Sequence, residues 1–429
     1  MNSFYLKPKF VEIIKEYTGS QLVSDIVAGI IVAIIALPLS IALALASGVQ
    51  PAQGIYTAIA AGFFVALLGG SRVQIAGPTA AFATTVAGIV ATSGMDGLII
   101  ATVLAGIMLI LMGIFKLGGL IRFIPTAITV GFTGGIAVTI FIGQIKDFLG
   151  ITYAESVKPI ETIEKIKANI DAIFTFNWQS LIIGAICLLV LVFYPKIEKR
   201  IPPSLIAVVV GAVLTALIPA LNDGVYTIGD LYDIPKGLPQ INFADMDFST
   251  DKIITLLPSA FTIAILAGIE SLLSCVVSDS MIKDKHNPNA ELLAQGVANI
   301  ASVLFGGIPA TGAIARTAAN IKNGGRTPVS AMVHSAVLLL VLVLLMPFAK
   351  LIPMPTIAAI LFIVAYNMSE WRHFVRIIKK RRIGEILILL VTFVFTVVFD
   401  LVVAIVVGMV LYGIISIIKI ITKKGDVEN

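Results

Sequence analysis

Long stretches without a single charge limit this chain more than any other feature. Residues 26–45 and 330–348 contain no Asp, Glu, Lys or Arg, and residues 386–418 are interrupted only by Asp400. About 20 predominantly apolar residues in helical form cross the ~30 Å hydrocarbon core of a bilayer. The rest of the composition agrees: 58% of residues are hydrophobic and 13% charged, with a mean hydropathy of +1.02. Soluble domains run at roughly 45–50% apolar and about 25% charged. The chain therefore reads as an all-α polytopic membrane protein.

Fourteen apolar segments are predicted, at residues 22–47, 52–69, 79–92, 97–115, 125–148, 178–194, 202–220, 254–281, 290–305, 312–323, 328–349, 355–368, 383–400 and 401–421. With the N-terminus inside, 22 of the 30 basic residues fall in inner loops, their borders or the termini. They include Arg72, Lys116, Lys196, Lys283, Arg326 and the cluster from Arg372 to Arg382. This bias follows the positive-inside rule and favours cytoplasmic N- and C-termini in a cell inner (plasma) membrane. Residues 1–21 mix Lys7, Lys9 and Lys15 with Glu12 and Glu16 and lack a signal peptide's apolar core. An amphipathic lead-in helix is expected there. The loop at 221–253 is acidic and expected outside, as a solvated surface segment. Cys187 and Cys275 lie in apolar segments, so no disulfide scaffold is indicated. The net charge of +5 is spread over short loops and does not point to nucleic acid.

The third and tenth segments share an unusual lead-in. Gly69-Gly70 precedes Gln74-Ile75-Ala76-Gly77-Pro78-Thr79-Ala80, and Gly306-Gly307 precedes Pro309-Ala310-Thr311-Gly312-Ala313-Ile314-Ala315-Arg316-Thr317. Both segments are too short to cross a bilayer at 1.5 Å per residue. Each reads as extended backbone followed by a half-helix, tolerable at that depth only where it is buried in protein or lines a cavity. Paired interruptions in corresponding positions point to a transporter's binding site. A helix that begins there aims unpaired N–H groups and a positive dipole end at an anion. Two sets of seven, each with its half-helix third, predict a 7+7 inverted repeat. Its halves are residues 22–220 and 254–421, with 422–429 as a cytoplasmic tail.

Few charges lie inside the segments. Glu270 is the clearest acid and Arg316 the clearest base. Intramembrane charges are costly and usually face an interior pathway. Glu270 is a structural partner for a neighbouring helix or a coupling site for a proton or Na+. Loss of water favours the neutral form of a carboxyl, which points to the proton. Ser274 follows one turn later on the same face, whereas Ser271 is expected to point away. Arg316 either pairs with Glu270 or adds its charge to the helix-end field that holds the anion. Leu39 and Leu43, a turn apart around the helix-loosening Pro38, are candidates for a cavity wall. Asp25, Asp147 and Asp400 read as helix-boundary residues. His286, His334 and His373 show no metal-ligand spacing, so no metal is expected. No nucleophile elbow, P-loop or redox motif is present, which argues against an enzyme.

These motifs resemble the sulfate permease (SulP) family of anion transporters. The likeness is carried by the flanks of Pro38, Gln53-Gly54-Ile55-Tyr56, Gly77-Pro78-Thr79, Gly268-Ile269-Glu270-Ser271, His286-Asn287-Pro288-Asn289 and Ala315-Arg316-Thr317. The resemblance implies a fourteen-segment inverted repeat, like that of nucleobase transporters and prestin. Segments 1–4 and 8–11 would form a core and segments 5–7 and 12–14 a gate. A small anion (sulfate, bicarbonate or a C4-dicarboxylate) would bind between segments three and ten, and the core would move against the gate like an elevator. It further implies substrate positions at Leu39, Leu43, Thr79, Ala80, Ala315 and Arg316, and coupling-ion positions at Glu270, Ser274 and Thr311. Membrane lipid and a second copy in a homodimer are the expected partners, and no cofactor is expected. The sodium-coupled bicarbonate members resemble this chain but have aspartate and threonine where Glu270 and Ser274 stand, which favours proton symport here. Sodium-coupled bicarbonate symport and an uncoupled anion channel remain the alternatives. Most members continue into a STAS domain, whereas this sequence stops at Asn429; no STAS domain is expected.

Overall fold

The computed structural model describes residues 6–14, 17–119, 125–198, 201–233, 249–399 and 401–425, without the side chains of 401–402 and 418–425. Asp400 and the loop residues Asp245 and Asp247 lie outside the described residues. A short α1 (Lys9–Ile13) leads to α2 (Gly19–Ala46), α3 (Pro51–Leu68), the two-residue strand β1 (Ala76–Gly77), a 3₁₀ turn at Ala80–Phe82 and α4 (Ala83–Ile114). Next come α5 (Thr126–Leu149), α6 (Thr162–Asp171), α7 (Trp178–Ile197), α8 (Pro203–Leu217), α9 (Pro219–Asn222) and α10 (Ile228–Leu231). The second half holds α11 (Thr250–Ile282), α12 (Pro288–Leu304), β2 (Thr311–Gly312), α13 (Ile314–Lys322) and α14 (Pro328–Leu345). It closes with α15 (Met354–Met368), α16 (Trp371–Lys379), α17 (Ile383–Val398) and α18 (Leu401–Gly425). Among the described residues, seven helical stretches of 18 or more residues are apolar enough to cross a membrane.

Local chemistry sets the helix ends. Thr18, Asn177, Asn287 and Thr327 each cap a helix by accepting a backbone N–H on the side chain. Proline opens α3, α8, α12, α14 and α15 within their first two positions, where its missing N–H costs nothing. Pro38 sits inside α2 without ending it. The third and fourth predicted segments form one helical run, broken at Gly94, whose φ of 68° is open to glycine but strained for other residues. Two elements escape the hydropathy pattern: α6 and α16 are amphipathic helices within predicted loops.

The helices sort into two bodies. α2, α3, α4, α11, α12, α13 and α14 pack mainly on one another and form the core, whereas α5, α7, α8, α15, α17 and α18 form the gate. The pairings inside the core are reciprocal. α3 meets α14 as α12 meets α4, and α2 meets α14 as α11 meets α4. That exchange is what a two-fold axis relating the halves produces. β1 pairs with β2 antiparallel (Ala76 opposite Gly312, Gly77 opposite Thr311), so the halves pass the middle of the molecule in opposite directions. α4 and α12 approach so closely that a Cβ on Gly106 would lie 2.7 Å from the Gly296 carbonyl oxygen. Asp25 is not a solvated boundary residue. Fully buried, it accepts from Arg326 N (2.9 Å), Thr327 N (3.3 Å), the Thr327 hydroxyl and the Tyr17 hydroxyl (3.0 Å), fastening α2 to the α13–α14 turn. Burial, together with that carboxylate, pushes the Tyr17 phenol up to about 12.

Candidate anion site

The centre of the core is the crossing of β1 and β2. Beyond the strand pairing, Ala313 N donates to Ile75 O (2.8 Å) and Ile75 N to the Thr317 hydroxyl (3.0 Å), so each half-helix lead-in satisfies the other's backbone. Irregular backbone survives at this depth because these bonds replace the missing helix ladder. The N-terminal turns that follow are left open. Ala313, the N-cap of α13, has no side-chain acceptor, and the N-cap Thr79 gives its hydroxyl to another partner. The first N–H groups of both half-helices therefore face the same space without side-chain caps.

That partner is Glu270. Its Oε2 accepts from the Thr79 hydroxyl (2.9 Å) and from the Thr311 hydroxyl (3.0 Å), joining the third and tenth segments through one carboxyl on α11. Ser271, expected to point away, also reaches the crossing. Its Oγ accepts from Gly312 N (3.0 Å), and its carbonyl accepts from Gln74 Nε2 (3.1 Å). The reason is geometric: β2 runs across α11, so successive strand residues meet different faces of the helix. Ser274 is buried, and its hydroxyl donates to that of Thr317 at 3.4 Å. Gln74 extends the polar layer to the buried Glu291, which it meets at 3.1 Å. A lone glutamine in the Pro/Gly-rich stretch was the available sequence signal for it.

Arg316 stands at the third position of α13 with 3% of its surface exposed. It forms no ion pair with Glu270 within 4.0 Å among the described residues. Its Nη2 donates to the Pro78 carbonyl (2.7 Å), while Nη1 is buried without a hydrogen-bond partner against Gly77. A cation in the first turn of a helix opposes the helix dipole. Arg316 thus adds a full positive charge at the positive helix ends, with no carboxylate within 4.0 Å of it among the described residues.

A cavity of about 610 Å³ lies in front of this arrangement, between core and gate. From the core, Leu39, Leu43, Thr79, Ala80, Glu270, Ala315 and Arg316 line it; Thr311 and Ser274 are buried behind this wall. The gate contributes Thr133, Leu191, Ile360, Ile363, Val364 and Asn367, dispersed over three helices whose sequence marks none of them. The cavity runs on to Glu198, Pro202, Asn323 and Glu370, all at the ends of helices that bear the basic loops. The cavity thus opens toward the side that carries most of the basic loop residues.

Known proteins share both sequence and shape. The model of the sulfate permease family matches residues 22–392. A putative sulfate transporter of Bacillus subtilis, YvdB, is 42% identical over 402 residues, spanning 92% of this chain and 74% of the relative. The bicarbonate transporter BicA of Picosynechococcus is 32% identical over 410 residues, spanning 92% of this chain and 70% of BicA. The solved transmembrane domain of a cyanobacterial BicA superposes with a TM-score of 0.81 at 29% identity, covering 92% of this chain and 98% of that domain. With the motif-bearing residues at one crossing and the family match running through it, this chain belongs to the sulfate permease family.

Proposed function

We propose that this protein is a secondary active transporter that moves a small anion across the cell inner membrane, with both termini cytoplasmic, by proton symport. The observation that carries this reading is the convergence of two uncapped half-helix N-termini on one cavity, backed by the buried, anion-free Arg316. Such a site attracts negative charge and holds it without a metal or cofactor. The substrate class is a small oxyanion or dicarboxylate: sulfate, bicarbonate or a C4-dicarboxylate. The relatives named for sulfate and bicarbonate support that range. Glu270 is the coupling group in this reading. Ionised, it accepts the two threonine hydroxyls that lock segments three and ten together; protonated, it lowers the negative charge that would repel the incoming anion. Transport then proceeds by movement of the core against the gate.

The test is uptake of labelled sulfate, bicarbonate and succinate into proteoliposomes, with a proton gradient, a sodium gradient or neither. Accumulation driven by an inward proton gradient is expected. Accumulation driven only by sodium would replace the proton with Na+ at Glu270. No accumulation of any of the three under either gradient would remove the symport reading.

A further inference from the structure

The second amphipathic surface helix carries chemistry that anion transport does not use. Around α16, the apolar residues Trp371, Phe374, Val375, Ile377 and Ile378 occupy one side and Arg372, His373, Arg376 and Lys379 the other. Ile377 is buried, and Phe374 packs edge-on against Phe393 of α17 at 5.4 Å. Trp371, Val375 and Ile378 stay exposed. A helix with a docked edge, an exposed apolar edge and a basic face lies in the plane of a membrane interface. There the apolar edge sits at the acyl boundary and the basic face at headgroup depth.

Beneath the basic face is a pocket of about 410 Å³ between α16, α17, α18 and the first turn of α5. Its polar lining is His373, Arg376, Lys380, Glu385, Thr126 and Tyr412. The one carboxylate among these is already neutralised: Glu385 Oε1 accepts from Arg382 Nη1 at 3.0 Å. His373 is engaged by Glu370 at 3.1 Å. Arg376 and Lys380 form no ion pair with any described residue, so two unpaired cations flank one concave space open at the interface. A guanidinium fork and an ammonium are what a phosphodiester takes as partners.

We propose that this pocket binds the phosphate headgroup of an anionic phospholipid in the adjoining leaflet, through Arg376 and Lys380. Because α16 packs on α5 and α17, both in the gate, the bound lipid fastens the gate to the leaflet and leaves the core free.

Native mass spectrometry of the full chain, released from nanodiscs of phosphatidylglycerol mixed with phosphatidylcholine, tests the assignment. The wild type is expected to retain phosphatidylglycerol selectively. R376Q/K380Q is expected to bind it at least about thirtyfold more weakly, through loss of two charge-assisted hydrogen bonds to the phosphate. R372Q/K379Q, which removes two charges outside the pocket, is expected to lose less than fivefold. Equal retention of both lipids by the wild type would overturn the proposal. So would equal losses in the two double variants, which would mean diffuse attraction to the leaflet. Displacement of the lipid by inorganic phosphate at equal concentration would reassign the pocket to a free anion. Should R376Q/K380Q fail to fold, each single variant is expected to weaken retention about fivefold, and no loss in either would refute the site.

Discussion

Replacing Arg316 with glutamine should separate function from stability in opposite directions. The guanidinium is 3% exposed, holds only the Pro78 carbonyl, and keeps Nη1 without a partner. Without substrate, the folded protein therefore carries a buried charge at the unfavourable end of the α13 dipole. An anion held at the two helix ends would lie one peptide unit in front of it, roughly 5–7 Å away. At an effective dielectric constant of about 20, a pair of unit charges at that range is worth ~2–3 kcal/mol. Arg316→Gln should then weaken anion affinity roughly 30- to 150-fold. Gln cannot reproduce the bond to Pro78, which costs about 1.5–3 kcal/mol, but it also ends the burial of an uncompensated charge, an effect of comparable size. The anion-free variant should thus melt at or above the wild-type temperature. In the wild type, a saturating anion at about 100 times Kd adds ~2.7 kcal/mol, and at the same concentration this increment should fall to about 0.3–0.9 kcal/mol in the variant. Differential scanning fluorimetry in detergent across an anion titration reads both effects. A variant that keeps its anion-dependent stabilisation, or an anion-free variant less stable by more than about 2 kcal/mol, would refute the reasoning.

Four further outcomes follow from the same geometry. Glu270→Gln should retain anion binding but lose gradient-driven uptake in proteoliposomes; unchanged dependence on protons and sodium would exclude Glu270 from coupling. In Gly77→Ala the added Cβ would overlap Arg316 Nη1 and displace the guanidinium, so anion affinity should fall about tenfold, ~1.4 kcal/mol, in a protein that still folds. Titration calorimetry checks it. Ser271→Ala leaves Gly312 N without an acceptor and should lower stability by about 1–3 kcal/mol without changing ion selectivity. Asp25→Ala strands two buried donors on Thr327 and a part-buried one on Arg326 at the α13–α14 turn and should cost about 3 kcal/mol, seen as a lower melting temperature.

The frame of the molecule was legible because its signals are local. Uncharged runs mark helices, loop lysines and arginines mark sides, and twin glycines followed by Pro and Thr mark backbone that cannot continue a helix. What stayed hidden depends on contacts between distant segments. Gln74 meets Ser271 across 197 positions, and no spacing rule reaches that far. Helix-face reasoning sent Ser271 away from the site because it followed only the face shared by Glu270 and Ser274. The partner is a strand crossing α11, and Thr311 and Gly312 meet Glu270 and Ser271 in turn. For Arg316 the sequence left two destinations open, Glu270 or an anion. The structure sends one arm of the fork to Pro78, which an arginine at that spacing does not advertise. The gate's cavity residues were equally invisible, since α7 and α15 are apolar all round.

That last asymmetry bears on mechanism. The two helix ends, Thr79, Glu270 and Arg316 belong to the core, whereas the polar groups the gate helices bring to the cavity are uncharged side chains, Thr133, Ser204 and Asn367. The gate opposes them mainly with Leu191, Ile360, Ile363 and Val364. If an anion had to be handed between bodies, both walls would need polar groups, because a buried charge without partners is expensive. With the charged groups on one wall, an anion would keep most of its bonds if the core slid past a mainly apolar gate. This division supports an elevator-like step over a rocking one, in which the site would be split between the bodies. It also says where to look for altered rates. Substitutions such as Ile363→Ala should change transport rate at nearly constant anion affinity, whereas core substitutions should change affinity first. Paired affinity and uptake measurements on both classes decide it, and a gate variant with affinity reduced as far as that of Arg316→Gln would overturn the division.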